Sequence, residues 1–124
     1  MDEKASKLVG YFSLARPIPG QQKVNGSAVK DEAIADMGGV KSSLYAAREI
    51  QGFDYDEFFR AFARQYAGQT SEKNELGTMR GDIHPLPFYR VNIILQQYDE
   101  FIETYGIKPG DGMYLSPEKR VTVW

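Results

Sequence analysis

Cysteine is absent from this 124-residue sequence, and histidine and tryptophan each occur once. Without cysteine the chain forms neither a disulfide nor a thiolate metal site. A single histidine, His84, cannot supply the several imidazoles that metal centres usually contain. Any site built from this chain alone is therefore poor in imidazole.

Long apolar runs and a strong net charge are missing as well. No apolar segment approaches the length of roughly 20 residues that a membrane-spanning helix needs, and the opening MDEKASKLVG does not resemble a signal peptide. The formal net charge is −2, with 15 basic and 17 acidic residues interspersed. Neither a nucleic-acid surface nor a basic membrane patch is indicated. What remains is an ordinary globular composition, and residues 1–124 form a single segment with room for one core.

Apolar spacing predicts a mainly α segment. Ser27 can cap a helix that runs to about Ile50, and Asp54 with Glu57 resembles a capping box that starts a second helix. Residues 71–80 suggest a third, weaker helix, and a short one precedes Gly106. The first helix should bury the stripe Ala33, Met37, Val40, Leu44 and Ala47, and the second the face Phe58, Phe59, Phe62 and Tyr66.

A few short strands complete the prediction. Residues 8–14 (LVGYFSL) and 90–95 (RVNIIL) are short apolar runs that we interpret as strands, and a final strand is expected at the carboxyl terminus. Two prolines between them, in GDIHPLPFYR, predict an extended loop over 81–90.

Glu32 and Asp36 stand one helical turn apart, with Asp36 within the margin of the apolar stripe and Glu32 just outside it on the same side. Two ionised acids at this spacing repel each other by about 0.2–0.5 kcal/mol on an exposed helix, and by more when partly buried. One interpretation is a solvated acidic turn that the helix dipole favours. The other is a site in which one carboxylate binds a metal and its neighbour orients a ligand or carries a proton.

His84 lies in the proline-stiffened loop, with Arg90 six positions later. An isolated histidine commonly has a structural or surface role, and Arg90 can be an ordinary salt-bridge partner. A rigid loop with an imidazole and a guanidinium also suits a site that stabilises an oxyanion or holds a substrate carbonyl. Spacing alone leaves both interpretations open.

Four short patterns follow one another along the chain. Glu32 and Asp36 form E-x-x-x-D before a glycine pair, D-x-H spans 82–84, Arg90 stands near a phenylalanine, and P-x-x-R-x-x-x-W closes the sequence. Together they resemble the end of the neprilysin-type zinc metallopeptidases, which include endothelin-converting enzyme and the bacterial oligopeptidase O. The resemblance implies the carboxy-terminal part of a zincin-like (thermolysin-like) catalytic domain, in an endopeptidase that hydrolyses oligopeptides with zinc.

The resemblance also implies roles for single residues. Glu32 matches the third zinc ligand, which lies outside the family's H-E-x-x-H motif. Asp36 matches the acid that hydrogen-bonds a zinc-ligating histidine and is often assigned as proton donor. His84 matches the residue that stabilises the tetrahedral oxyanion, and Arg90 matches the arginine that binds a backbone carbonyl of the substrate.

The sequence also departs from this family. Ala33 stands where the family has asparagine and Asp31 where it has glycine, which leaves substrate handling open. H-E-x-x-H is absent, so a complete Zn²⁺ site would need two histidines from an upstream segment, and we expect the isolated chain to be inactive.

The partners expected are therefore a peptide substrate and the upstream half of the same catalytic domain. Self-association through the apolar face left exposed is a further expectation. The alternative is a non-catalytic peptide-binding or interaction remnant of the same fold. The lack of cysteine favours a bacterial source, and a cytoplasmic and an exported location stay equally open.

Overall fold

A computed structural model describes residues 3–14 and 24–122. Across these residues the chain is helical and contains no strand, so the mainly α prediction is confirmed and its strands are wrong. The helices are α1 (Glu3–Leu14), α2 (Lys30–Ala47), α3 (Tyr55–Arg64), α4 (Glu72–Gly81), α5 (Pro87–Leu95) and α6 (Asp99–Thr104), followed by a 3₁₀ turn at Pro117–Lys119.

Helix α2 forms the centre of the fold and packs against α1 and α5. Its buried residues are the predicted stripe of Ala33, Met37, Val40, Leu44 and Ala47, which confirms the helical period. The predicted Ser27 cap is wrong, because the backbone carbonyl of Asn25 accepts from Ala28 and Val29 and forms a turn there. The helix begins only at Lys30 and ends three residues before Ile50.

The predicted strand over 8–14 is instead part of helix α1. Leu8 and Phe12, four positions apart, are fully buried in the core, which is the spacing of one helical face. Gly26 lies so close to this helix that a Cβ there would clash with the carbonyl oxygen of Val9. The turn before α2 therefore packs directly on α1.

The second predicted strand, 90–95, lies in helix α5, whose first residue is Pro87. The extended-loop prediction over 81–90 is also wrong for Gly81, which ends α4, and for its last four residues, which begin α5. Proline is well suited to the first position of a helix, because its fixed φ is helical and no intrahelical partner is lost. The non-helical part, 82–86, still carries His84 and leads into α5, which buries Ile93, Ile94 and Leu95.

The remaining helices agree with the predictions. Asp54 caps α3 by accepting from the Glu57 amide at 2.9 Å, and Gly106, with φ of 58°, lies just beyond the end of α6. Of the predicted aromatic face only Phe59 is fully buried, where it meets Phe101 of α6 edge-on with ring centroids 5.3 Å apart. Residues 121–122 are not a strand, and 123–124 of the predicted final strand lie outside the described residues.

Candidate functional site

The fold brings Glu32, Asp36, His84 and Arg90 together, and we call these four residues the acid–arginine cluster. Glu32 and Asp36 lie on neighbouring turns of α2, Arg90 lies in the first turns of α5, and His84 lies in the loop just before it. Helix α5 packs against α2, and this packing brings distant parts of the chain into one site. Glu32 and His84 are 52 residues apart in sequence, and Asp36 and Arg90 are 54 residues apart.

Asp36 and Arg90 form a bidentate ion pair. Nε of Arg90 donates to Oδ2 of Asp36 at 2.7 Å, and Nη2 donates to Oδ1 at 2.7 Å. The two side chains are only 10% and 17% exposed, so the pair is well covered. The hydrogen bond to Asp36 raises the pKa of Arg90. The described part of the chain supplies no acceptor to Nη1 of Arg90, whose two N–H groups this two-pronged geometry leaves to another acceptor.

Tyr66 completes the surroundings of this pair. Its ring lies under the guanidinium, with Cζ of Arg90 4.9 Å from the ring centroid, and its hydroxyl is 3.5 Å from Oδ1 of Asp36. Burial raises the pKa of the Tyr66 hydroxyl, and the charge of Asp36 raises it further. Tyr66 thus remains a neutral donor and a flat support for the arginine.

Glu32 lies further towards solvent than Asp36, as the helical period predicted. Its carboxylate Oε2 is 3.6 Å from Nη2 of Arg90 and 3.7 Å from Nε2 of His84. The side chain is 34% exposed. It therefore combines a partly exposed carboxylate with a guanidinium that compensates its charge and an imidazole that does so when protonated.

His84 is oriented by Asp82. One oxygen of the Asp82 carboxylate lies 2.6 Å from Nδ1 of the imidazole and also accepts from the backbone amide of His84 at 2.9 Å. These bonds lower the pKa of Asp82, the backbone bond most strongly. Because Nδ1 is directed at Asp82, Nε2 is left facing Glu32 and solvent, where it can donate to a developing negative charge when protonated.

Two members of this site were not predicted. Asp82 is the first residue of the D-x-H pattern, and its position two residues before His84 is the sequence feature from which its contact with the imidazole could have been predicted. Tyr66 was predicted only as part of a buried helix face, and it in fact lies two residues beyond the end of α3. No sequence period indicates that its ring supports an arginine 24 positions away.

The side chains of the cluster can supply one ligand of a zinc centre, but they cannot supply the complete set of ligands. Glu32 offers an accessible carboxylate oxygen of a kind that binds Zn²⁺. Among residues 3–14 and 24–122, however, no three side chains of His, Cys, Asp or Glu are grouped so that they could hold a metal ion. Further ligands would have to come from outside this set.

The helical arrangement of these residues is shared with a metallopeptidase of known structure. A crystal structure of the Mycobacterium tuberculosis zinc metalloprotease Zmp1 with an inhibitor superposes with a TM-score of 0.84 at 20% identity, over 96% of this chain and 20% of Zmp1. The model of peptidase family M13 matches residues 1–121. The chain belongs to peptidase family M13.

Curated relatives extend well beyond the matched segment. The neutral endopeptidase of Lactococcus lactis subsp. lactis is 30% identical over 99% of this chain and 19% of its own length. The neutral endopeptidase of Lactobacillus helveticus is 33% identical over 85% of this chain and 16% of its own length. Human neprilysin is 26% identical over 92% of this chain and 17% of its own length. The chain spans less than a fifth of the length of each of these relatives. Within the described residues, no helix has the length and apolarity needed to cross a membrane.

Proposed function

We propose that this chain is the carboxy-terminal part of the catalytic domain of a zinc-dependent endopeptidase that cleaves oligopeptides. The observation that carries the proposal is the acid–arginine cluster. Four groups suited to metal binding, oxyanion stabilisation and substrate binding lie in contact, inside a segment that family M13 matches over 1–121. The other zinc ligands, two histidines, would come from an upstream half of the same domain.

Glu32 is proposed as the ligand that this segment supplies. Its side chain is 34% exposed, and the neighbouring Arg90 and His84 limit the positions that the carboxylate can take. Bound zinc would supply Lewis-acid chemistry, which polarises a peptide carbonyl and makes water nucleophilic near neutral pH. Asp36 lies one turn away with both oxygens accepting from Arg90. Oδ1 also accepts from the Tyr66 hydroxyl at 3.5 Å, and Oδ2 can accept a second bond, so Asp36 can also orient a histidine ligand or hold a proton.

His84 and Arg90 are proposed to bind the substrate itself. Nε2 of His84 would donate to the oxyanion that forms when the peptide carbonyl is attacked, with Asp82 holding the ring at Nδ1. Nη1 of Arg90 would donate to a backbone carbonyl of the peptide, because Asp36 already occupies Nε and Nη2. A guanidinium fixed in this way positions a peptide with little loss of side-chain entropy.

The same proposal explains several exposed apolar side chains. Ile83, next to His84, and Tyr45 and Ile50 near the end of α2 are more than half exposed. We propose that the upstream half covers part of this surface, and that chains without it self-associate through the same surface.

Activity and metal content of the native protein test the proposal together. Hydrolysis of a quenched fluorescent peptide should disappear with a chelator and return with Zn²⁺. His84→Ala should lower kcat about 100- to 1000-fold with little change in KM, as expected for the loss of an oxyanion donor. Glu32→Ala should lower the zinc content measured after dialysis, and Glu49→Ala, in the exposed turn after α2, is the matched control.

Two results would contradict the proposal. Full activity in the His84 variant would remove His84 from the reaction. Peptide binding without any hydrolysis by the native protein would favour the alternative, a non-catalytic peptide-binding remnant. That alternative is favoured by one observation, the lack of a complete metal-binding group among the described residues.

A further inference from the structure

A groove of about 750 Å³ lies beside the acid–arginine cluster. We call it the aromatic groove. One side is formed by the link between α3 and α4, and the other by the start of α5. Its volume is in the range of small-ligand sites. The residues that matter for its chemistry are Tyr66, Glu75, Leu86, Phe88 and Tyr89.

Three aromatic rings line the groove. Phe88 and Tyr89 are arranged edge to face with centroids 5.3 Å apart, and Tyr66 lies on the side towards Arg90. Phe88 is 67% exposed, although it belongs to a helix whose other end is buried. Together with Tyr66 and Tyr89 it gives the groove an aromatic lining, which is typical of a surface that binds a ligand.

The groove carries a single type of charge. Of the described residues that line it, only Glu75 is charged, and the others are apolar, aromatic or uncharged polar. Glu75 belongs to α4 and lies close enough to Tyr89 for its negative charge to raise the pKa of that hydroxyl, in addition to the larger effect of burial. Aromatic faces and one carboxylate together attract a cation with an apolar stem.

The groove and the cluster share structural elements. Tyr66 supports Arg90 and also lines the groove, and Phe88 and Tyr89 immediately precede Arg90 in α5. A peptide whose backbone carbonyl is held by Arg90 would therefore place a neighbouring side chain at the mouth of the groove.

We propose that the aromatic groove binds a lysine or arginine side chain of the peptide substrate, and that Glu75 is the specificity-determining residue. This inference rests on the proposed peptidase function. The alkyl stem of the basic side chain packs against Phe88 and Tyr89, and its cationic end lies next to the Glu75 carboxylate. Norleucine, which has an alkyl chain and no charge, can make the contact with Phe88 and Tyr89 and cannot make the one with Glu75.

Four quenched peptides that differ at one position test this in the native protein. They carry Lys, Arg, norleucine or Glu, placed in turn at each of the positions flanking the cleaved bond. At the peptide position whose side chain enters the groove, Glu75→Gln should lower kcat/KM for the Lys and Arg peptides roughly three- to tenfold. The kcat/KM for the norleucine peptide should not change. Glu72→Gln, on the same helix and outside the groove, is the matched control. Glu75→Lys should make the Glu peptide the preferred one.

The experiment distinguishes a wrong groove proposal from a wrong proposed function. If the peptides are cleaved and Glu75→Gln leaves their relative kcat/KM unchanged at every position, the groove proposal is overturned and the peptidase function stands. If no peptide is cleaved, the proposed function fails, and binding of the Lys and norleucine peptides is compared by fluorescence titration. Weaker binding of the Lys peptide alone to Glu75→Gln supports the groove, and equal binding overturns it.

Discussion

Arg90 and Asp36 are joined by two parallel hydrogen bonds of 2.7 Å, although 54 residues separate them in sequence. The pair connects α5 to α2, and it lies below the more exposed Glu32 and His84. In the acid–arginine cluster the two covered side chains, Asp36 and Arg90, are paired with each other. The two more exposed side chains, Glu32 and His84, keep atoms that can contact another molecule. Arg90 and Asp36 thus hold α5 against α2, and Glu32 and His84 are the members more exposed to solvent.

Removing Arg90 should therefore be costly even without substrate. Arg90→Ala leaves the Asp36 carboxylate covered and without its cation, which should lower the free energy of unfolding by about 3–5 kcal/mol. Arg90→Lys retains the charge and loses the two-pronged geometry, so an intermediate loss is expected. Urea unfolding followed by circular dichroism measures both.

Arg60 provides the matched control for this experiment. It pairs with Asp56 four positions earlier, and both side chains are largely exposed, at 64% and 45%. Arg60→Ala should change the unfolding free energy by less than about 1 kcal/mol. Equal losses in the Arg60 and Arg90 variants would show that the covered pair contributes no more than a surface one.

Asp82 should make stability depend on pH in the acid range. Its bonds to His84 lower its pKa in the folded chain below the value of about 3.9 for an unfolded aspartate. The stabilisation is then fully present above pH 3.9 and is lost as the pH falls through the lowered folded pKa. Asp82→Asn lacks this contribution, so its urea midpoint should lie below that of the original chain at pH 6. The gap should narrow towards pH 3, and a gap that is constant with pH would contradict the assignment.

The sequence predicted the cluster better than it predicted the elements that carry it. The three- and four-residue spacing in α2 placed Glu32 and Asp36 on one side of a helix, in the correct order of exposure. That period is long and regular, so it determines a helix by itself. The family resemblance contributed His84 and Arg90, which no local pattern would connect to α2.

Two of the wrong predictions concern short apolar runs. Residues 8–14 and 90–95 are six or seven residues long, and at that length periodicity does not distinguish a strand from a buried helix. Tertiary packing decides, because Leu8, Phe12 and Ile94 reach the core together only as helical faces. The contact of Tyr66 with Arg90 has the same character, since it depends on how α3 and α5 approach each other.

Two glycines test the packing of α1 and α2. Gly26 approaches α1 so closely that a Cβ would clash with the Val9 carbonyl oxygen and the Ser13 side chain. Gly26→Ala should therefore lower the unfolding free energy by about 1–3 kcal/mol, as overpacking does. Gly39, inside α2, has nothing within 4 Å of an added Cβ in the described part of the chain.

Gly39→Ala is accordingly the control with the opposite sign. Alanine is the better helix former by about 1 kcal/mol, so this variant should be slightly more stable than the original chain. Urea midpoints of the two variants give the comparison. A tolerated Gly26→Ala would mean that the turn before α2 is not in contact with α1.

Tyr98 should link stability to alkaline pH. Its hydroxyl donates to the carbonyl oxygen of Met37, one residue after Asp36, at 2.6 Å, and burial raises its pKa well above the usual range. Tyr98→Phe should lower the unfolding free energy by about 0.5–1.5 kcal/mol at pH 7, the usual value of such a bond. Tyr45→Phe, whose ring is 69% exposed, should have little effect.

The sign of the pH effect follows from the raised pKa. An unfolded tyrosine ionises near pH 10, so the contribution of Tyr98 is complete below that pH and is lost as the pH rises towards the folded pKa. The difference in urea midpoint between the original chain and Tyr98→Phe should therefore shrink above pH 10. Tyr105, whose pKa is raised to about 12 by burial and by its bond to Asp56, is present in both proteins and cancels in the comparison. A difference that grows above pH 10 would mean that the ionised Tyr98 hydroxyl is stabilised in the fold, contrary to its contact with a carbonyl oxygen.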